Sequence, residues 1–433
     1  MRLKKDNILG TYIPAFFEMQ VDTDINDFDL QKMSNHDLCV FLHEYIHFLQ
    51  DITTVYGLNN IYVYTEYVSS VVNRIYKNGS NTFEVPFQIT DNNDNVLLNR
   101  NVSSITLGDT EDSNISIFCI SNIDIGNCAL VPNTIMQQIN DVTLSIKTNN
   151  GSDEFYTFGA MTIMENMAYI IERFCYPKDY TKSPDIPYTI AEKVSDYYVP
   201  NFSKNIEMVL ALCEMSLMTS NPGYYYVIVM QAIKNGNLVF NTPESIYEHF
   251  YSLQTCTWDN KMQSLVEFYE NLSERVATNM KKYVHGENIT EDFDLWIDTI
   301  KVFSENIRNN KESFFLNIAR GGQLKSNKYF QNIINTIGSP LLTNNKSNYF
   351  KIPHKNLTNK STQDVEYFRA IKQMIDLFEY GKVECELFEW CKNSPINHTN
   401  DYCKKCPWEK NESCYYVFLW HNWKLTKHTP IIQ

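Results

Sequence analysis

Residues 35–54 read "NHDLCVFLHEYIHFLQDITT", and the string His43-Glu44-Tyr45-Ile46-His47 inside them decides how the rest of the chain is read. Ser34 just before this stretch can cap a helix, Asp37 completes a capping-box-like pattern, and apolar residues continue to about Gly57. On such a helix His43 and His47 project from one face, at the separation that two imidazole ligands of a single zinc ion require. Glu44 then stands beside the remaining coordination position, where a carboxylate can take a proton from a metal-activated water. The same string can arise by chance on an ordinary buried helix, but zinc helices with this spacing are common among enzymes, which favours the metal. Tyr45, Ile46, Phe48 and Leu49 cover the rest of the helix with apolar surface, so a buried helix with its histidines on an internal cleft is expected. Asp51 lies one further turn along and is a candidate to orient His47 by accepting its imidazole N–H, with Gln50 supporting the site in a similar way. As a direct ligand Asp51 is less attractive, because positions 43 and 51 are about 12 Å apart along the helix axis.

A catalytic zinc ion normally takes three protein ligands and keeps one position open, so a third ligand must come from elsewhere. Glu165 is the leading candidate. It sits in "FGAMTIMENMAYIIERF" (158–174), surrounded by Ala160, Ile163, Met164, Met167, Ala168 and Ile171. A carboxylate in that setting is costly unless it is paired or bound to a cation. The small residues Gly159, Ala160 and Ala168 would let this helix approach the first one closely. Glu214 in "VLALCEMSLM" (209–218) is similarly isolated and is the rival ligand, with Glu172 and Asp196 behind it.

A His-Glu-x-x-His helix followed by a glutamate on a second helix resembles the gluzincin type of zinc metallopeptidase. The segment "MENMA" (164–168) looks like the Glu-x-x-Ala segment that often carries the third ligand in that group. The resemblance covers these two helices, which here are separated by more than a hundred residues. It implies His43, His47 and Glu165 as ligands of a catalytic zinc ion and Glu44 as the general base in hydrolysis of a protein or peptide substrate. In that chemistry Glu44 accepts a proton from water and later returns it to the leaving amine. A further donor should stabilise the oxyanion; Tyr224, Tyr225 or Tyr226 in "NPGYYYV" and Arg320 in "ARGG" are the candidates.

Outward from the motif, the chain reads as mainly α (α+β). Residues 1–78 form an N-terminal segment with the motif helix and a second short helix around 60–77. Residues 79–157 form a small β-rich insertion, with alternating runs such as "TFEVPFQI", "SISIFCIS" and "VTLSIKT" between Asn-, Asp- and Ser-rich turns. Residues 158–342 form a helical body carrying the third-ligand helix, and 343–433 hold a linker (343–361), a helix and a cysteine-rich end. With 433 residues and 14% aromatics the chain can build a buried site. The formal net charge of −14 argues against nucleic acid. "MRLKKDNILGTYIPAFFEM" lacks a continuous apolar stretch for a secretion signal, and no apolar run is long enough to span a membrane, so a cytoplasmic protein is expected.

Six of the eleven cysteines (Cys39, Cys119, Cys128, Cys175, Cys213 and Cys256) are scattered singly in apolar surroundings, as reduced core cysteines usually are. The other five lie in "CELFEWCKNSPINHTNDYCKKCPWEKNESC" (385–414). Cys403 and Cys406 form a C-x-x-C knuckle suited to tetrahedral zinc. Cys391 and Cys414 are expected to close a structural site, with Cys385 or His398 as substitutes. A redox dithiol or free thiols are the alternatives, although no thioredoxin-like pattern surrounds the knuckle. The aromatic "YYVFLWHNW" (415–423) would pack this end onto the helical body. Three functions therefore stand open. They are a zinc peptidase, its access gated by the insertion or a regulatory protein partner; a metal-dependent hydrolase of a non-peptide amide or ester; and an interaction protein with purely structural zinc.

Overall fold

The computed structural model describes residues 10–23, 29–89, 94–110, 117–130, 138–253, 256–258, 261–284, 290–344, 349–356, 366–393 and 399–433. The chain enters as a hairpin of β1 (Gly10–Ile13) and β2 (Glu18–Val21), followed by α1 (Asn35–Thr53) and α2 (Val55–Lys77). Ser34 caps α1: its hydroxyl accepts the Asp37 N–H at 3.1 Å and donates to the Asp37 carboxylate at 2.9 Å. The helix ends before the apolar run does. Thr54 is extended, with ψ 154°, and its hydroxyl accepts the Gly57 N–H at 3.0 Å, so one residue both ends α1 and caps α2. A Cβ on Gly57 would lie 2.3 Å from the Asp51 Cα, so only glycine allows this close junction. As a result α2 has 23 residues and is not the short helix expected over 60–77.

Residues 79–157 contain β3 (Thr82–Val85) and an antiparallel sheet of β4 (Ile117–Ala129), β5 (Gln138–Thr148) and β6 (Asp153–Thr157). Between them lies a helix absent from the sequence reading, α3 (Asn95–Leu107), started by the Asp94 carboxylate accepting the N–H groups of Val96 and Leu97. Its Asn- and Ser-rich sequence presents only a weak apolar stripe.

The helical body follows as α4 (Ala160–Cys175), the short α5 (Asp185–Tyr188), α6 (Ile190–Tyr198), α7 (Ile206–Leu217), α8 (Pro222–Lys234) and α9 (Pro243–Ser252). A small hairpin, β7 (Cys256–Trp258) and β8 (Lys261–Gln263), leads to α10 (Leu265–Val284), α11 (Thr290–Asn309), α12 (Phe314–Arg320) and α13 (Lys328–Ile337). The C-terminal part comprises β9 (Leu341–Asn344), β10 (Tyr349–Phe350), α14 (Glu366–Tyr380), α15 (Phe388–Asn393), α16 (Tyr402–Lys405), α17 (Tyr415–Asn422) and β11 (Thr429–Ile432). Of the expected linker, residues 345–348 and 357–361 lie outside the described residues, and its beginning is part of strand β9. Among the described residues, no helix is long and apolar enough to cross a membrane.

Two pairings tie distant parts of the chain together. β2 runs parallel to β9, with Glu18 opposite Leu341, inside the sheet β1-β2-β9-β10. β11 runs parallel to β3, with Thr429 opposite Thr82. The apolar core is shared by all four segments read from the sequence. The ring of Phe17 packs edge-on against Phe48 of α1, Trp296 of α11 and Phe368 of α14, with centroids 5.9, 5.6 and 4.7 Å away. Cys39, Cys175 and Cys213 are buried in this core, whereas Cys119 and Cys128 are half-exposed on β4. The Cys256 side chain lies outside the described residues.

Candidate metal centre

α1 packs against α4 and turns His43 and His47 toward Glu165. His43 Nε2 lies 3.1 Å and His47 Nε2 3.4 Å from Glu165 Oε2. Each of the three offers one ligand atom, and these atoms lie within 4.8 Å of one another. That spread suits three ligands of one ion with bonds near 2 Å. Gly159, expected to ease the contact between α1 and α4, sits elsewhere: a Cβ there would lie 2.5 Å from the Leu107 carbonyl oxygen at the end of α3.

The protons on the two imidazoles follow from their other contacts. Gln50 Nε2 donates to the Met164 carbonyl at 3.0 Å, which turns Gln50 Oε1 toward His47 Nδ1 at 2.7 Å. Nδ1 must therefore donate, and the neutral ring carries its lone pair on Nε2. His43 repeats the arrangement with a carboxylate. Its Nδ1 lies 3.0 Å from Glu172 Oε2, and Glu172 Oε1 accepts the Cys39 thiol at 3.3 Å. A carboxylate or amide oxygen behind each imidazole is the support that metal-ligating histidines usually have.

Both Nε2 lone pairs thus face a carboxylate, and acceptor facing acceptor is repulsive unless a cation or extra protons lie between them. His47 Nε2 is buried and makes no hydrogen bond. Burial lowers the pKa of both imidazoles, but Glu165, joined by Glu172 at His43, outweighs it, so both end above their usual value. Burial likewise raises Glu165, and the two histidines reverse this and hold it well below the carboxylate range. The donor set, two imidazoles and one carboxylate, is the kind that zinc accepts in catalytic sites. The residues fit the ion.

Glu44 points to the side where β1 crosses. A Cβ on Gly10 would lie 2.6 Å from Glu44 Oε1, so the strand backbone rests directly on the carboxylate. Glu44 is 6% exposed. Burial pushes its pKa up, the two histidines pull it back, and it settles at about 7. Two tyrosines flank the imidazoles. The ring of Tyr12 lies 6.4 Å from that of His47 at 22°, and the ring of Tyr188 in α5 lies 6.0 Å from that of His43.

Asp51 does not orient His47. It turns to the β1–β2 hairpin, accepting the Tyr12 hydroxyl at 2.9 Å and the Ala15 N–H at 2.7 Å. Ala15 and Phe17 adopt φ 63° and 49° there, a conformation unfavourable for side-chain-bearing residues that Asp51 and the buried Phe17 ring hold in place. The rival third ligands are committed elsewhere. Glu214 is fully buried and accepts from Arg308 Nη1 at 2.8 Å, the Tyr247 hydroxyl at 2.7 Å and the Phe315 N–H at 3.2 Å. Asp196 accepts from Ser203 N–H and Oγ.

The oxyanion candidates contact other groups. Tyr224 opens α8 with its N–H on Asn221 Oδ1, Tyr225 packs on Phe250, and Tyr226 is buried with its hydroxyl on Ser195 and the Ala191 carbonyl. Arg320 is exposed and pairs with Glu207 and Glu244. The tyrosines beside the site, Tyr12 and Tyr188, carried no signal in sequence, because strand pairing and loop packing bring them there. Glu172 was visible only as a lesser ligand candidate, and its position behind His43 needed the helix register.

At the C-terminal end, Cys385 and Cys403 are buried, whereas Cys391, Cys406 and Cys414 are half-exposed, Cys406 with its thiol on Glu409. His398 lies outside the described residues. Compared with protein-family models, curated proteins and solved structures, the chain matches none.

Proposed function

We propose that this protein is a zinc-dependent hydrolase that cleaves peptide bonds, with Glu44 as general base. One observation carries the reading: two histidines, each oriented through Nδ1, aim Nε2 at the half-buried Glu165 carboxylate, with a second carboxylate alongside. When bound, zinc supplies Lewis acidity, polarising a carbonyl and acidifying a water. His43, His47 and Glu165 would hold the ion, with Gln50 and Glu172 keeping the imidazoles in the ligating tautomer. Glu44 accepts the proton of the attacking water and returns it to the leaving amine. Tyr188, its ring 6.0 Å from that of His43, is the candidate oxyanion donor, on a helix anchored to the β-rich segment by the Ile117 N–H on Asp185 at 2.7 Å. Through that anchor, residues 79–157 or a protein partner bound to them would control access from inside the cell.

The second reading is a hydrolase of a small amide or ester. It is favoured by the narrow approach, with the liganding side chains only 10–13% exposed and β1 lying on Glu44. Zinc content and hydrolysis of a peptide library and of aryl esters and anilides separate these readings. Glu44→Gln should keep its zinc and lose about 10²–10⁴-fold in rate, and His43→Ala with His47→Ala should lose the ion. Peptide cleavage supports the first reading, and cleavage confined to the small substrates supports the second. Full activity in Glu44→Gln would sink both and leave the metal structural.

A further inference from the structure

Four residues of α1, spaced one turn apart, reach toward α4 and the turn that follows it: Asn35, Cys39, His43 and His47. Asn35 Nδ2 donates to Asp179 at 3.3 Å, the Cys39 thiol donates to Glu172 Oε1 at 3.3 Å, His43 stands between Glu172 and Glu165, and His47 faces Glu165. The Gln50 bond to the Met164 carbonyl ends the row. The two helices therefore share one polar seam, and the proposed ligands lie inside it. Cys39 is the member of the seam nearest the ligands to which the metal chemistry above gives no part.

A reduced cysteine in a core usually packs as a small hydrophobe. Cys39 is 1% exposed, yet it does more than pack. Glu172 is buried too, and a carboxylate in such a place is costly unless donors meet it. Two donors do, the Cys39 thiol at Oε1 and the His43 N–H at Oε2, 3.0 Å away. With one donor on each oxygen, the carboxylate cannot turn away from His43 without breaking its bond to Cys39. Removing the thiol leaves Oε1 buried without a partner. Burial, with the Glu172 charge beside it, holds the Cys39 thiol well above its usual pKa, so the sulfur keeps the proton that it donates.

We propose that Cys39 is a positioning residue of the metal centre: its thiol fixes Glu172, and Glu172 in turn aims the Nε2 lone pair of His43 at the ion. The inference rests on the zinc reading above and adds a residue to it. An uncharged donor one turn before the first ligand thus sets how firmly that ligand is held.

The test is zinc affinity in the full chain, measured by competition with a chromogenic chelator, for the ion that is lost in His43→Ala with His47→Ala. Cys39→Ala should weaken binding about tenfold, in line with loss of an outer partner of a ligand. Cys39→Ser, which keeps a donor, should recover most of that loss. Glu172→Ala should weaken binding at least as much, and adding Cys39→Ala to it should change nothing further, because the thiol acts only through that carboxylate. A role confined to packing would make the two losses add. The zinc-free chain supplies a second measurement in the infrared. A thiol bonded to a carboxylate absorbs below a free one, so the S–H band lost in Cys39→Ala should be a lowered one that moves up in Glu172→Ala. Unchanged affinity in Cys39→Ala, additive losses in the double variant, or a band at the free-thiol position overturns the role of Cys39 and leaves the hydrolase reading standing. A wild-type chain that binds no zinc through His43 and His47 overturns both.

Discussion

Gly10 has no side chain, and Glu44 fills the space that one would take. A Cβ at this position would meet Glu44 Cγ at 2.7 Å as well as the carboxylate oxygen, so Gly10→Ala must displace the proposed base. Zinc content should be unchanged while kcat/KM falls about 100-fold, the penalty for a catalytic group misplaced by about 1 Å. An unaltered kcat/KM in Gly10→Ala would mean that Glu44 has room to work elsewhere. Asp51 lends itself to a pH measurement. Burial outweighs the bonds from Ala15 and Tyr12 and raises its carboxyl from 3.8 to about 7. Between those values the folded chain holds a proton that the unfolded chain has released, so Asp51 makes stability fall as pH rises from about 4 to about 7. Asp51→Asn should flatten that decline in urea unfolding compared at pH 4.5 and 7.5; an undiminished slope would exclude Asp51 as its source. At this scale the sequence was readable where the spacing is local. His43, Glu44 and His47 share one helix, whereas Gly10 and Tyr12 reach the site through strand pairing that no local pattern announces.

Among the elements, α4 and α7 each carry a glutamate among apolar residues, Glu165 and Glu214, and the two acids do opposite things. Glu165 faces two imidazoles; Glu214 is neutralised by Arg308, whose Nε also donates to the Thr53 carbonyl at the end of α1. Glu214→Ala therefore leaves a buried guanidinium uncompensated and should cost about 3–5 kcal/mol without changing zinc content. Glu165→Ala should do the reverse, losing zinc and retaining most of the fold. Metal analysis alongside denaturant unfolding of the two variants checks the contrast, and zinc loss in Glu214→Ala would reverse the assignment. From sequence alone these acids were hard to separate, since each sits among apolar residues of its helix and the distinguishing cation lies on α11. The α1–α2 boundary was hidden for a similar reason: "DITTVYGLNN" is continuous in apolar pattern, and the break depends on the extended Thr54 and the crowding at Gly57.

For the molecule as a whole, the division into four segments describes the order of the chain more than the way it packs. Strand β2 completes its sheet with β9, β3 is flanked by β11, and Phe17 joins α1, α11 and α14 in one cluster. With one apolar core shared by the described residues of all four segments, the chain should unfold in a single calorimetric transition. Two resolved transitions would show that part of the chain folds by itself. The mainly helical class was legible from apolar periodicity, and the β-rich character of 79–157 from its alternating runs. The pairings between the ends of the chain were not, because strand partners far apart in sequence leave no periodic trace.

The Gln50 amide bridges His47 and the Met164 carbonyl, one residue before Glu165, using only groups of the chain itself. This bridge ties α1 to α4 beside the proposed ligands through groups of the chain alone. A chelated sample would keep α1 and α4 in register, and cobalt could be introduced into native protein without refolding. Its visible absorption would then act as a gauge inside the cleft, changing colour as candidate inhibitors displace solvent, so that ligands could be ranked before a single substrate is known.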